Sequence, residues 1–209
     1  MHMPHFKHDR PEDWQALMAA HPLGTWFSTS GAELRADHVP FLFDASHGAH
    51  GALRAHVSRA NPVWRTPGQS LVVFQGPQAY VSPGWYASKR EHGKVVPTWN
   101  YAVVHVHGRS RAFDGRDELL ALVERLTDTH EARQAAPWRV SDAPAAYIDQ
   151  LLRAIVGIEI TIDRIEGRWK MSQNRSEADR QGVHAGLHQA GSEEGRDVAA
   201  WVVDPRLTR

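Results

Sequence analysis

The chain predicts a mainly β protein with peripheral helices, a closed or split antiparallel β-barrel with helices packed outside it. Three observations carry this. Short apolar runs with period-two alternation recur between Gly and Pro turns. Two helical segments are inserted before one last long β-branched run, Ile155 to Ile165. No βαβ alternation occurs, and no GxGxxG or GxxxxGK[ST] run, so a Rossmann or P-loop nucleotide site is not expected.

Taken in order, Asp9 caps a helix opened by Pro11 and Glu12, with Trp14, Leu17 and Met18 as its apolar stripe. Pro22 and Gly24 end it. Thr25 to Thr29, Leu34 to Asp44 and Ala52 to Val57 read as strands of an antiparallel meander. Asn61-Pro62 starts a short helix or turn. Leu71 to Gln75 is a strand bounded by Gly76-Pro77 and extended by Tyr80 to Ser82. Lys89 to Lys94 reads as a charged, exposed loop. Asn100 to Arg111 is a long strand with Ala102, Val104 and Val106 on one face and Tyr101, Val103, His105 and His107 on the other. Leu119, Leu120, Leu122, Val123 and Leu126 face one helix that starts at Asp114 or Gly115, and Ser141 or Asp142 caps the next. After Ile155 to Ile165, Glu166-Gly167 is expected to turn the chain. Ser176 opens a polar helical segment, and a last short helix is expected near Asp197 to Val202.

The composition excludes several classes of function. A chain of 209 residues supports one domain, or one domain with an appendage. Lys plus Arg and Asp plus Glu both number 24, so no strong electrostatic footprint for nucleic acid exists, though a local basic patch is compatible with it. There is no cysteine, which excludes disulfides, Cys-ligated metals and thiol nucleophiles. No secretory h-region and no run of about eighteen apolar residues is present, so no membrane span is expected and a cytoplasmic location is the default.

The densest stretch is Tyr80 to Gly108, where Trp85, Tyr86, Trp99 and Tyr101 crowd between two turn-setting prolines. Such aromatics suit an interface, a planar-ligand site or a sheet core. A second constellation is Trp169 to Arg175. Lys170 and Arg175 can pair with a phosphate, and Ser172, Gln173 and Asn174 can complete its hydrogen bonds. A third is Ser58, Arg59 and Asn61 before a helix start, where free N–H groups favour an anion; Asn61 equally suits a plain N-cap. His38 precedes Val39-Pro40 on a strand of edge or bulge character. Two histidine pairs, His105 with His107 and His184 with His188, have ligand spacing, but solvated histidines explain them too, and no metal is expected.

The segments YVSPGWYASK, VVPTWNYAVVHVHG, HVSRANPVW, IVGIEITIDRIEGRWKMSQNR and HVPFLFD resemble the PaiB-like family of FMN-binding negative transcriptional regulators, from about Met1 to Leu187. The resemblance implies a flavin-reductase-like split barrel of Greek-key topology, a homodimer, and FMN at the dimer interface with basic and hydroxyl side chains on its phosphate. It also implies repression of sporulation and of degradative-enzyme production, with DNA or a regulatory protein as partner. Matched to the family's tail, Lys170, Ser172, Gln173 and Asn174 are the phosphate or ribityl candidates. His38, Ser58, Arg59 and Asn61 are the second rank, and Trp64, Trp99 and Tyr101 are candidates to flank the isoalloxazine. Residues 1–190 then form the domain and 191–209 a C-terminal tail. A flavin-dependent oxidoreductase and a haem-binding or haem-degrading split barrel are the alternative readings.

Overall fold

A computed structural model of the chain describes residues 4–207. One antiparallel sheet has the strand order β3-β2-β6-β7-β8-β5-β4, with β1 also on β8. The strands are β1 (Lys7–His8), β2 (Leu23–Ser30), β3 (Glu33–Pro40), β4 (Leu42–Asp44), β5 (Ala52–Ser58), β6 (Gln69–Val81), β7 (Thr98–Phe113) and β8 (Ile155–Lys170). The helices are α1 (Pro11–Ala20), α2 (Ser88–His92), α3 (Arg116–Glu131), α4 (Ala145–Arg153), α5 (Glu177–Ala190) and α6 (Glu193–Val202). No helix among the described residues is long and apolar enough to cross a membrane. The chain divides into two compact units, and β6, β7 and β8 each contribute a segment to both.

One unit comprises residues 21–74 and 105–165. Here β2 pairs with β3 from Leu23↔Pro40 to Ser30↔Glu33, and β5 pairs with β8 from Ala52↔Thr161 to Ser58↔Ile155. The long strand expected over Leu34 to Asp44 is two strands. Phe41, 3% exposed, turns inward with its N–H on Pro22 O at 2.9 Å, and β4 then pairs with β5. The expected meander is therefore broken, because β5 takes β8 as its other neighbour. Leu119, Leu122 and Leu126 of α3 and Leu152 of α4 close a core on Phe113, as their helical spacing requires. A half-buried ionic knot lies beside it. Glu159, 4% exposed, accepts from Arg54 Nε at 2.9 Å and from Arg111 Nε at 2.8 Å, and both guanidinium groups lie over the Phe113 ring.

The other unit comprises residues up to 20, 75–104 and 166 onward. β8 runs straight through Glu166-Gly167, where the sequence suggests a turn. The glycine answers a close approach: a Cβ on Gly167 would sit 2.1 Å from Trp14 Nε1. β6 likewise runs through Gly76-Pro77, beyond the β2 register recorded up to Val73. The charged stretch expected as a loop contains the single-turn helix α2, which Asp179 anchors by accepting from Ser88 N and Ser88 Oγ, each at 2.9 Å. Trp169 is sandwiched, with His8 at 4.3 Å and Trp201 stacked at 5.6 Å between ring centroids. The last short helix expected near Asp197 to Val202 is α6, which begins earlier, at Glu193, within the stretch assigned to a tail, and its Val198, Ala199 and Val202 are buried.

Trp85 lies on the face of α5 cleared by two glycines one turn apart. A Cβ on Gly186 would meet the Trp85 ring at 2.3 Å, and one on Gly182 would meet the Trp85 carbonyl oxygen at 2.0 Å. Gly→Ala in a helix interior normally gains about 1 kcal/mol from propensity. Here overpacking costs about 1–3 kcal/mol and wins. Gly182→Ala should lower the urea midpoint more than Gly186→Ala, since a carbonyl yields less than a ring that can tilt. Stabilisation by both substitutions would show that this contact does not hold α5.

Candidate functional site

The sequence candidates fall into two groups, one in each unit. In the unit of residues 21–74 and 105–165, most of them are committed to the fold. Arg59 donates from Nε to Arg153 O at 2.9 Å and from Nη2 to Ile155 O at 3.1 Å, and pairs with Asp114 at 3.4 Å. It is a clamp on the β8 entry. Asn61 is the plain N-cap: its Oδ1 accepts from Val63 N at 2.9 Å and its Nδ2 donates to Asp37 at 2.7 Å. Trp64 donates to Arg59 O at 3.1 Å. Ser58 is exposed and its hydroxyl accepts from Ala60 N at 3.3 Å. His38 is exposed on β3, opposite Thr25. His107 stands 3.1 Å from Arg164 Nη2.

The other unit gathers Lys170, Ser172, Gln173, Asn174, Trp99 and Tyr101, where β8 runs out into the turn before α5. Ser172 has φ +60, the one positive φ outside glycine among the described residues. That conformation is costly for a residue with a Cβ. It persists because the buried pair Asn100 and Ser172 hold each other, with Asn100 Nδ2 donating to Ser172 Oγ at 3.0 Å, and Arg175 N closes the turn on Ser172 O at 2.9 Å. The Gln173 amide is also used internally. Its oxygen accepts from Met171 N at 2.6 Å and its nitrogen donates to Trp169 O. These two residues shape the turn, while Asn174 is exposed and Lys170 and Arg175 are half-buried.

Lys170 donates to Thr98 Oγ1 and to Trp99 O, the latter at 2.6 Å, and so ties the end of β8 to the start of β7. Burial, and then the nearby Arg175 charge, hold its ammonium below the usual lysine range. Neither Lys170 nor Arg175 has a carboxylate partner among the described residues. Arg175 instead lies over the Tyr86 ring, 4.8 Å from its centroid. The Tyr86 side chain is 2% exposed and its hydroxyl has no hydrogen-bond partner. Burial pushes that phenol up, and Arg175 and Ser172 beside it pull the other way without reaching bonding geometry. On β7, Trp99 is 53% exposed, with Tyr80 at 46% edge-on to it at 6.1 Å, and Tyr101 is half-buried.

Two uncompensated cations, an orphaned buried hydroxyl and a half-exposed aromatic pair suit a phosphate monoester that carries a flat ring. The donor set of this chain thus fits FMN. Tyr86 marks itself in the sequence only as one aromatic among several, and Arg175 only as the last residue of a polar tail. Their pairing needs the third dimension.

The family described as "Putative FMN-binding domain" matches residues 1–164. An uncharacterized protein of Emericella nidulans is 35% identical, over 88% of this chain and 89% of its own length. The Bacillus subtilis protein named protease synthase and sporulation protein PAI 2 is 30% identical, over 98% of this chain and 97% of its own. The solved FAD and heme binding protein from Mycobacterium smegmatis superposes with a TM-score of 0.59 at 16% identity, covering 87% of this chain and 80% of that one, which shows the shared split-barrel fold. The chain belongs to the PaiB-like family of FMN-binding split-barrel proteins, and FMN is its cofactor.

Proposed function

We propose that the protein is a cytoplasmic, homodimeric negative regulator of transcription that holds FMN through Lys170 and Arg175. The observation that carries this placement of FMN is a pair of cations five positions apart that have no carboxylate partner among the described residues. Asn174 and the Tyr86 hydroxyl add hydrogen bonds to the phosphate, and Trp99 with Tyr80 offers faces for the ring. Bound FMN supplies a redox-active group whose charge responds to its oxidation state. The chain's own residues would anchor its phosphate and orient its ring. The regulatory reading draws on the similarity to the Bacillus protein over nearly the whole chain. It also draws on an exposed basic surface, since Lys89, Arg90, His92 and Lys94 are all exposed on and after α2.

The test is a visible absorbance titration with FMN, run beside gel filtration and a gel shift on the protein's own promoter. A flavin spectrum that co-elutes with a dimer, together with a salt-sensitive shift, supports the reading. Steady NAD(P)H turnover with no DNA shift would replace it with the oxidoreductase. If α2 meets DNA phosphates, Lys94→Ala should weaken binding equally on all sequences and reduce the slope of log affinity against log salt by about 1. An unchanged slope would remove α2 from the DNA contact.

A further inference from the structure

α5 carries a second constellation that the flavin site does not use. His184 and His188 are one helical turn apart, and their ring centroids are 4.6 Å apart. His184 is fixed by a specific bond: its Nδ1 lies 3.0 Å from Ala199 O. A carbonyl only accepts, so in the neutral ring Nδ1 carries the proton and Nε2 keeps its lone pair. That carbonyl belongs to the last turn of α6, where the Val203 N–H turns to Trp201 O instead. His184 therefore satisfies an orphan carbonyl of α6, and the same bond sets its tautomer.

An imidazole held through Nδ1–H by a backbone carbonyl is the arrangement that orients metal-ligating histidines. His188 is exposed in the last turn of α5, where a cation is favoured by the helix dipole. The helix is also rigidly placed, with Val183, Gly186 and Leu187 buried on its other face. We infer that His184 and His188 form a two-imidazole site for a divalent transition-metal ion of the zinc or copper class, with water completing its coordination. The site is independent of FMN, and its occupancy braces α5 against α6.

The experiment uses the full-length protein, Zn2+ and Cu2+ as probes, and the variants His188→Ala and His184→Ala. The parent should bind one ion equivalent that both variants lack or bind at least about 10-fold more weakly. Its Cu2+ electron paramagnetic spectrum should show nitrogen ligation that the variants lose. Zn2+ should raise the melting temperature of the parent by mass action but not that of His188→Ala. His188 is exposed, so its variant should keep the metal-free melting temperature of the parent. Equal stoichiometry and an equal Zn2+ shift in parent and His188→Ala would overturn the site. So would a result in which only His184→Ala changes, through lower metal-free stability, because that marks a capping role alone. A Soret band with haemin that needs both histidines, without binding of the bare ions, would replace the ion with haem.

Discussion

Glu159→Gln should destabilise the fold by about 3 kcal/mol, because removing one partner of a half-buried ionic cluster leaves the others uncompensated. Glu159 is the centre of that cluster. It takes Arg54 from β5 and Arg111 from its own neighbourhood on β7, and Arg54 also reaches Glu118 of α3 at 2.7 Å. The Arg54 side chain is 12% exposed, so water does little to replace the lost carboxylate charge. Arg111, 51% exposed, loses less. Burial alone would push the Glu159 carboxyl up, yet hydrogen bonds from Arg111 and Arg54 outweigh it and hold the group below its ordinary range. Asp44 is held well below its ordinary range by Ser46 and then Arg125. Both folded-state values are depressed. Their contribution is therefore present above the unfolded carboxylate range, near about pH 4, and is lost as pH falls through the folded values. Urea unfolding at pH 7 and across the acid limb checks this, and Glu159→Gln should flatten the acid limb as well as lower the midpoint. A replacement of the pair by Arg54→Leu with Glu159→Leu should recover most of the loss. A Glu159→Gln midpoint equal to that of the parent would show the cluster to be solvated decoration.

This cluster also marks the limit of what the sequence makes legible. Ile155 to Ile165 announces a strand through its β-branched residues, and Leu119, Leu122 and Leu126 announce a helix face. Local periodicity carries both. Glu159 reads as one polar residue in an apolar run, because its partners lie 105 and 48 positions away. The turn errors have a similar origin. Gly76, Gly167, Gly182 and Gly186 look like punctuation or helix weakness in one dimension, but in the fold each makes room for a side chain or a backbone group. At the candidate site, Lys170 and Arg175 are legible as cations in a polar tail, but the bond from Lys170 to Trp99 O is not. Ser172 and Gln173 are equally polar in the sequence, but the turn itself uses their hydrogen bonds. Arg59 and Asn61 are absorbed in the same way, since nothing in a sequence says whether a donor has already met a backbone carbonyl. Tyr86 is the converse case, a hydroxyl whose lack of a partner appears only when the packing around it is known.

Lys170→Met and Arg175→Gln should each weaken FMN binding by about 10- to 100-fold, the value of a charge-assisted hydrogen bond at about 1.5–3 kcal/mol with tenfold per 1.4 kcal/mol. The two cations act on one phosphate, so the double variant should lose less than the product of the single losses. Riboflavin, which lacks the phosphate, supplies the control. Its affinity should be low in the parent and nearly unchanged in both variants, because the ring meets Trp99 and Tyr80 rather than the cations. Trp99→Ala should do the reverse and weaken both flavins by a similar factor. The pH dependence has a definite sign. Lys170 is held below the usual lysine range by burial and by Arg175, and only its charged form pairs with a phosphate. FMN affinity should therefore fall as pH rises through the Lys170 value, and Lys170→Met should remove that fall. Arg175→Gln relieves the repulsion on Lys170, so it should move the fall to higher pH. Fluorescence quenching of FMN and riboflavin across pH measures all of these. Equal losses for FMN and riboflavin in Lys170→Met would mean that the residue supports β7 through Trp99 and not the phosphate. Undiminished FMN affinity in the double variant would move the phosphate elsewhere on the chain.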